Sequence, residues 1–260
     1  PYDAAGWTLP YLMDVRVIEA RTPLGAEVIA AMQPVTGRAT DPAAAEAPLT
    51  TNAMAAGIVV PPGRITGTGA ALSLDPAQND AFRVVNRALA AGGRVHLHAG
   101  RYVVSGVAAA TVEGWASALG LRGERVAAPA AGAARVGGRI ALFRSNAPSM
   151  DEGWTEWLLD THEFTYTVIS NSDVVAGDLG DRFDVVILAS DRATTLRDGF
   201  GRGRVPPTLE GGLGDAGVRA LQAFVRGGGT LVAMNASALF AIDAFHLPVR
   251  NAVRGLASKQ

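Results

Sequence analysis

Short runs of almost uninterrupted apolar residues alternate with helical segments through the second half of the chain. The runs are RIALFRS (139–145), YTVIS (166–170), FDVVILAS (183–190) and TLVAM (230–234). The longest helical segments between them are PSMDEGWTEWLLDTHEF (148–164) and LGDAGVRALQAFVRGGG (213–229). Strands that are apolar on both faces are typical of a parallel sheet covered by helices on both sides. The alternation therefore predicts an α/β fold over residues 136–260, with a mostly parallel sheet flanked by helices.

A smaller α/β unit with an irregular connector is predicted for residues 23–135. We expect a strand in GAALSL (69–74), and then a helix with Asp75 as its N-cap and Pro76 as its first residue. The segment RVHLHAGRYVVSG (94–106) alternates as a strand that turns back into a second strand. Further expectations are strands over 15–20 and 57–61, an aperiodic loop over 34–56, a helix over 111–121 and a linker over 125–138.

Composition excludes several classes of function. None of the 260 residues is a cysteine, which removes disulfides, thiolate metal sites and cysteine nucleophiles together. The net charge of −1 gives no reason to expect nucleic acid as a partner. No apolar run approaches the roughly 20 residues that span a bilayer, so no membrane partner is expected. The chain begins with Pro1 rather than methionine, and we expect it to be a fragment of a longer protein whose targeting signal lies outside it.

The clearest place for chemistry is the corner after the last strand, in GGTLVAMNASALFAID (228–243). Enzymes with a nucleophile at such a strand-to-helix corner use the turn to expose it and the helix N-terminus to stabilise negative charge. Asn235 stands at this corner. Its amide is not a nucleophile, although asparagine tolerates unusual backbone angles. Ser237 lies two residues further on, and His246 is the histidine that could serve it as a base.

A helix start is indicated by Ser149 and Glu152, which have the spacing of a capping box. In that motif each side chain satisfies a free backbone N–H at the first turn of a helix. We interpret the acidic pair Asp151-Glu152 as part of this cap rather than as acid–base machinery. Trp154, Trp157 and Leu158 are then expected on the buried face of the helix.

Two further motifs have both a functional and a structural interpretation. His96 and His98 share one face of a strand and could hold zinc, but no third ligand is placed nearby, so surface or edge-strand histidines are favoured and no metal is predicted. The long loop over 191–212 contains GRGRVPP (201–207), whose Arg202 and Arg204 could bind a carboxylate. We favour the alternative that this loop covers the end of the sheet or touches a neighbouring domain.

The segment 139–251 resembles the C-terminal region of large bacterial zinc carboxypeptidases, which are secreted metallopeptidases of the carboxypeptidase A type. The matching phrases are SMDEGWTEW (149–157), RFDVVIL (182–188), GGTLVA (228–233) and LPVRN (247–251). The segment that follows the peptidase domain in that family is similar to PYDAAGWTLPYLMDVRV (1–17). The part of those proteins between that segment and the C-terminal region resembles NDAFRVVNRALAAGGRV (79–95). The resemblance covers most of the chain and is weaker across 22–68 and 100–138.

In that family the C-terminal part is similar to a class I glutamine amidotransferase domain, which implies a flavodoxin-like three-layer fold for 136–260. The resemblance puts Asn235 where an active amidotransferase has its cysteine, and Ala189-Ser190 near the oxyanion-hole loop. The zinc ligands of the peptidase have no counterpart here and would lie upstream of Pro1, so residues 1–22 would follow that absent domain. The resemblance therefore implies neither a catalytic residue nor a cofactor in this chain.

Together these features favour a non-catalytic accessory region of a secreted bacterial zinc carboxypeptidase. It would pack on its own upstream peptidase domain, shape access to that domain's cleft, or bind a peptide or glycan. Packing is favoured by the apolar residues of segment 1–14, which are Trp7, Leu9, Tyr11, Leu12 and Met13.

Two alternatives remain open. The first is a hydrolase or amidotransferase-like enzyme that uses Ser237 with the distant His246. The second is a small-ligand binding module, because parallel sheets bind ligands at their carboxyl edge. Its candidate ligand-binding residues are Ser190, Asp191, Asn235 and Ser237.

Overall fold

The computed structural model describes residues 22–31, 63–128 and 134–252. The chain divides into two compact units, residues 1–61 and residues 62–260. In the first unit, the described part contains helix α1 (Ala26–Ala31). The predicted strands over 15–20 and 57–61, the predicted loop over 34–56 and the apolar segment 1–14 lie outside the described residues. The predicted division at residues 22–23 and 135–136 stays a prediction.

A six-stranded mixed sheet forms the first part of the second unit. Its strands are β1 (Arg64–Gly67), β2 (Ala71–Leu74), β3 (Arg94–His98), β4 (Arg101–Ser105), β5 (Arg122–Val126) and β6 (Ala134–Val136), in the spatial order β1-β5-β2-β4-β3-β6. β1 is parallel to β5, and the other neighbours are antiparallel. The predicted linker over 125–138 is wrong, because this stretch contains the end of β5 and all of β6. A strand of three residues is too short to show an alternating pattern in the sequence.

Helices α2 (Ala81–Ala90) and α3 (Ala109–Ala118) supply the helical side of the core of this sheet. The buried core residues include Leu72, Leu74, Val84, Val85, Val95, Val104, Val112 and Ala116. The predicted start of α2 is wrong, since the N-cap is Asp80. Asp75 instead accepts a hydrogen bond from the backbone N–H of Ala77 at 2.9 Å, so its side chain stabilises a turn before the helix.

The second sheet is parallel throughout. Its strands are β7 (Ile140–Phe143), β8 (Tyr166–Ile169), β9 (Val185–Leu188) and β10 (Thr230–Ala233), in the order β10-β9-β7-β8. The helices that connect and follow these strands are α4 (Met150–Thr161), α5 (Asn171–Ala176), α6 (Leu179–Arg182), α7 (Ala193–Asp198), α8 (Gly214–Arg226) and α9 (Ser237–Phe245), with a 3₁₀ turn at Pro207–Leu209. The predicted fold class is confirmed: the chain is α/β, and helices flank a parallel sheet.

The topology puts α4 and α8 on opposite faces of this sheet. β8 lies on one side of β7, whereas β9 and β10 lie on the other, so the crossovers run in opposite directions. Right-handed crossovers in opposite directions place their helices on opposite faces. The face that α8 covers contains the larger core, which includes Ala141, Phe143, Ile169, Val186, Leu188, Leu196, Val218, Leu221, Phe224 and Phe240.

The orientation of α4 reverses the prediction. Trp154, Trp157 and Leu158 were expected to be buried, but their exposed fractions are 64%, 60% and 50%. The buried residues of α4 are Glu152, Thr155 and Leu159. Polar contacts explain this orientation: Ser149 Oγ accepts from the backbone N–H of Glu152, and the Glu152 carboxylate pairs with Arg144 at 2.9 Å.

Only half of the predicted capping box is present at this helix. Ser149 makes its contact, but the Glu152 side chain is engaged by Arg144 rather than by the backbone of Ser149. A complete capping box occurs at α5 instead. There, Ser170 accepts from the backbone of Asp173, and the Asp173 carboxylate accepts from the backbone of Ser170.

The two sheets of the second unit are joined by an ion cluster after the C-terminal end of α4. Glu163 pairs with Arg87 at 2.7 Å and with Arg83 at 3.0 Å, both from α2. The hydrogen bond from Arg87, with help from Arg83, outweighs partial burial and lowers the pKa of Glu163 to about 2. Asn86 adds a hydrogen bond from its amide to the carbonyl of His162 at 2.8 Å.

None of the helices in the part of the chain that the structure describes combines the length and apolarity that crossing a lipid bilayer requires.

Candidate functional site

The carboxyl ends of three parallel strands meet at one edge of the second sheet. β7 is followed by Ser145, β9 by Ser190 and Asp191, and β10 by Asn235. Side chains that follow neighbouring parallel strands share an edge, which is where ligands of such sheets bind. The four candidate residues of the sequence are therefore brought together here.

Asn235 lies at the turn between β10 and α9 and has a left-handed backbone conformation. Its φ is +46°, in the left-handed region that most side chains avoid. Its side chain is exposed, and its amide donates to Ser190 Oγ at 3.1 Å. The nitrogen lone pair of a carboxamide is delocalised into the carbonyl, so Asn235 offers hydrogen-bonding groups but no nucleophile at neutral pH.

Ser237 is buried and fully engaged with the backbone. Its exposed fraction is 0%. Its hydroxyl donates to the carbonyl of Ala189 at 2.5 Å and accepts from the backbone N–H of Asp191 at 2.9 Å. The side chain thus ties the start of α9 to the end of β9, as a structural link between two strand ends.

His246 cannot act as a base for Ser237. Ser237 is the first and His246 the C-cap residue of α9, a helix of nine residues. At a rise of 1.5 Å per residue the two residues are about 13 Å apart along the axis, several times the reach of a hydrogen bond. The contacts of Ser237 with Asp191 involve backbone groups and not the carboxylate. The arrangement therefore lacks the nucleophile–base contact that hydrolysis through Ser237 needs.

Little free space remains between the carboxyl ends of β7 and β9. Asp191 accepts from Ser145 Oγ at 3.3 Å and from the backbone N–H of Arg192 at 2.7 Å. Ser149 Oγ approaches the carbonyl of Ser190 at 3.4 Å. The cavity that these groups enclose measures about 10 Å³, which is at most the space of one water molecule. A substrate cannot enter it without a rearrangement of the strand ends.

The sequence analysis did not single out Ser145 or Arg144. Arg144 follows β7 directly and forms ion pairs with Glu152 at 2.9 Å and Glu156 at 2.6 Å. These contacts, of which the Glu152 hydrogen bond is the strongest, raise the pKa of Arg144. The sequence signal was available: an arginine after a strand and two glutamates four residues apart on one face of the next helix.

No metal centre is formed by the described residues. Among them, no group of three or more histidine, aspartate or glutamate side chains converges. His96 and His98 lie on β3, and Nδ1 of His96 is buried without a hydrogen-bond partner in the described part of the chain. Two imidazoles without a third ligand do not make the donor set of a protein zinc site.

The arginines of the 191–212 segment have different surroundings. Arg197 pairs with Asp215 at 2.5 Å, and Gly203 donates its backbone N–H to Glu210. Arg202 and Arg204 are exposed. The segment is not a long structureless loop as predicted, since it includes α7 and a 3₁₀ turn.

A larger cleft lies between the two sheets of the second unit. Its volume is about 420 Å³, and it is lined by apolar and aromatic side chains with two polar ones, Asn86 and Thr165. Three of these side chains are aromatic. The centre of the Phe82 ring lies 5.8 Å from that of Tyr102 and 6.1 Å from that of Phe164. No charged residue is among those that line this cleft.

Comparisons with known protein families, with curated proteins and with solved structures return no match.

Proposed function

We propose that this chain is a non-catalytic accessory region of a secreted bacterial zinc carboxypeptidase, which packs on the peptidase domain of the same polypeptide and modulates access to its cleft. One observation carries the proposal: the corner after β10 keeps the positive φ of an elbow, yet it holds Asn235. Ser237, the hydroxyl that next follows Asn235 in the chain, is completely buried. We expect a domain that has the architecture of an enzyme without its reactive group to act by binding another domain through its surface.

Further support comes from the electrostatics of the edge. A catalytic edge needs donors aimed at a position where negative charge develops, and room for a substrate beside them. Here the backbone N–H of Asp191 is bonded to Ser237 and that of Arg192 to the Asp191 carboxylate. These two backbone N–H groups already have acceptors within the protein, so they do not serve a substrate. Zinc would be held by the peptidase domain, which would carry the chemistry.

The absence of catalysis is tested with the purified chain. We expect no hydrolysis of L-glutamine or p-nitrophenyl acetate above the buffer rate, and no difference between the unmodified chain and Ser237→Ala. Turnover that disappears in Ser237→Ala would overturn the proposal in favour of the hydrolase.

The accessory role is tested with the parent polypeptide. Its peptidase activity should be compared with and without residues 136–260. We expect a change in KM, kcat or both, because removal of the region exposes the surface on which it packs. Identical kinetic constants would contradict a role in access to the cleft.

The cleft between the sheets favours a second candidate function, the binding of a small ligand. A volume of about 420 Å³ lies within the range of small-molecule sites, and an apolar lining without charges suits a neutral ligand with aromatic rings. This site differs from the carboxyl edge at which the sequence predicted ligand binding.

Fluorescence of the neutral probe N-phenyl-1-naphthylamine tests this second candidate. We expect enhancement on addition of the chain, lost in Ala90→Phe, which fills the cleft from its wall. Ala91→Phe is the matched control, because Ala91 is exposed and does not line the cleft. Equal enhancement in both variants would exclude the cleft as the binding site.

A further inference from the structure

Helix α4 presents a stripe of large apolar side chains to solvent. Met150, Trp154, Trp157 and Leu158 are exposed by 84%, 64%, 60% and 50%. At 3.6 residues per turn they fall within an arc of about 100°, on the side of the helix opposite to the buried Leu159. The rings of Trp154 and Trp157 meet edge to face at 6.1 Å, so the two indoles form one continuous surface.

The sheet face that α4 covers is left partly open beside this stripe. Val168, Leu142, Ile187 and Val232 are aligned across the four strands. Leu142, on β7, is fully buried, Ile187 is half-buried, and Val232 on β10 is 39% exposed. Met234, which follows β10 on the same face, is 38% exposed. Exposure therefore rises from β7 toward β10, which shows that α4 does not cover the β10 side.

Polar contacts fix α4 over β7 and β8, so the stripe cannot turn inward. Arg144 holds Glu152 and Glu156 from the end of β7. Tyr166 of β8 donates to the Asp160 carboxylate at 2.9 Å. Burial and this hydrogen bond raise the pKa of Tyr166 to about 12, so the phenol keeps its proton. These anchors lie at both ends of the helix.

The charged residues of α4 all have one sign. α4 carries Asp151, Glu152, Glu156 and Asp160 and no lysine or arginine. Arg144 is occupied by the two glutamates. Asp151 and Asp160 are exposed beside the tryptophans. A partner surface that fits is apolar at its centre and basic at its rim.

We propose that the stripe of α4, together with Val232 and Met234, is the docking surface for a folded protein domain that presents an apolar groove with a basic rim. Resting on the proposed function, this occupant is the peptidase domain of the same polypeptide. A second copy of this chain fits less well, because a two-fold contact would bring the acidic rims of α4 together and like charges across an interface are unfavourable.

The size of the surface suits such a contact. Two tryptophans of these exposures offer on the order of 250 Å² of mostly apolar area. Met150, Leu158, Val232 and Met234 extend it, which supplies the centre of an interface of about 800 Å² per partner. Tryptophans at the centre of an interface commonly provide most of the binding free energy.

Calorimetric titration of this chain with the separately expressed peptidase domain tests the proposal. We expect measurable binding that weakens at least 10-fold in the double variant Trp154→Ala/Trp157→Ala and about 3-fold in Asp151→Lys. The controls are Leu209→Ala and Asp198→Lys, which change an exposed leucine and an exposed aspartate elsewhere and should leave affinity unchanged. Urea unfolding of each variant should remain a single cooperative transition, which shows that the variants fold.

Each other outcome has a defined meaning. Binding that survives the double tryptophan variant would overturn the α4 surface and leave the accessory function standing. Absence of any binding, with unchanged peptidase activity after removal of 136–260, would overturn both. A dimer of this chain in sedimentation velocity that the tryptophan variant dissociates would identify a second copy as the occupant and reject the proposal.

Discussion

Helices α8 and α4 flank the same parallel sheet on opposite faces, and they place their apolar residues in opposite ways. α8 buries Val218, Leu221 and Phe224 against the sheet and exposes charged residues such as Asp215 and Arg219. α4 buries a glutamate, a threonine and one leucine, and exposes its tryptophans. The first is a helix whose packing is complete within the chain. The second has an apolar surface in excess of what the described residues of the chain cover.

The difference shows what fixes the orientation of a helix. For α8, burial of the apolar stripe is the largest favourable contribution, and it therefore decides the rotation of the helix. For α4 the cap at Ser149 and the ion pairs of Arg144 act on specific atoms and fix the rotation instead. On α4 the anchored polar residues bury a mostly polar side with one leucine, and the larger apolar side stays exposed.

The largest expected effect on stability comes from the sheet face that α8 covers. Leu221→Ala should reduce the free energy of unfolding by about 2–5 kcal/mol, because Leu221 has no exposed surface and its removal leaves a cavity between α8 and the sheet. Urea unfolding of the purified chain measures this. Leu221→Met is the matched control, and a volume-conserving change should cost less than about 1.5 kcal/mol. Equal effects of the two variants would show that α8 is not packed as described.

The next effect concerns Ser237, at the start of α9; the other end of this helix is fastened to α8 by the hydrogen bond from Gln222 to the carbonyl of Ala244. Ser237→Ala should cost about 1–3 kcal/mol, since the backbone N–H of Asp191 loses a buried acceptor. Ser172→Ala, at an exposed serine of α5, should change stability by less than about 0.5 kcal/mol. A Ser237→Ala variant as stable as the unmodified chain would mean that the hydroxyl is not a structural link.

The same contrast explains how far the sequence predicted the fold. Apolar runs that alternate with periodic helices predicted the parallel sheet and α8, because burial of both faces leaves a strong pattern. The three short helices α5, α6 and α7 span 6, 4 and 6 residues and leave no such pattern. The apolar spacing alone predicted the wrong rotation of α4, because the rotation depends on the ion pairs of Arg144 with Glu152 and Glu156, whose sequence pattern was present but was not used.

At the candidate site the sequence predicted the strand-to-helix corner at Asn235. The unusual φ of Asn235 agrees with a residue that tolerates left-handed backbone. The burial of Ser237 was not predictable, because it depends on Ala189 and Asp191, about 46 residues away in the chain. Long-range backbone contacts of this kind follow from the register of β9 and β10, which no local pattern records.

A smaller effect is expected at the C-terminal end of α4. Glu163→Gln should lower stability at neutral pH, because the carboxylate pairs with Arg87 and Arg83. The folded pKa of about 2 lies below the ordinary 4.5, so this stabilisation is complete above about pH 4.5 and is lost as the pH falls toward 2. The side chain is a third exposed, and solvent screening keeps the effect below that of Ser237→Ala.

Urea midpoints of the unmodified chain and Glu163→Gln between pH 3 and 7 measure this difference. The gap between the two should be constant above about pH 5 and should narrow below it. Glu124→Gln, at an exposed glutamate of β5, serves as the control for the loss of a surface carboxylate. A gap that widens in acid would contradict the sign of the linkage.

The smallest effect on stability is expected at Trp154, and this is where α4 and α8 should differ most clearly. In the chain alone, Trp154→Ala should cost no more than about 1 kcal/mol, because most of the indole is in solvent and the edge-to-face contact with Trp157 is its main interaction. The same truncation of a large apolar residue costs several times more in α8. Urea unfolding under the conditions used for Leu221→Ala gives the comparison directly. A loss of 2 kcal/mol or more would mean that Trp154 packs within the chain, and the α4 surface would then not be free to dock another domain.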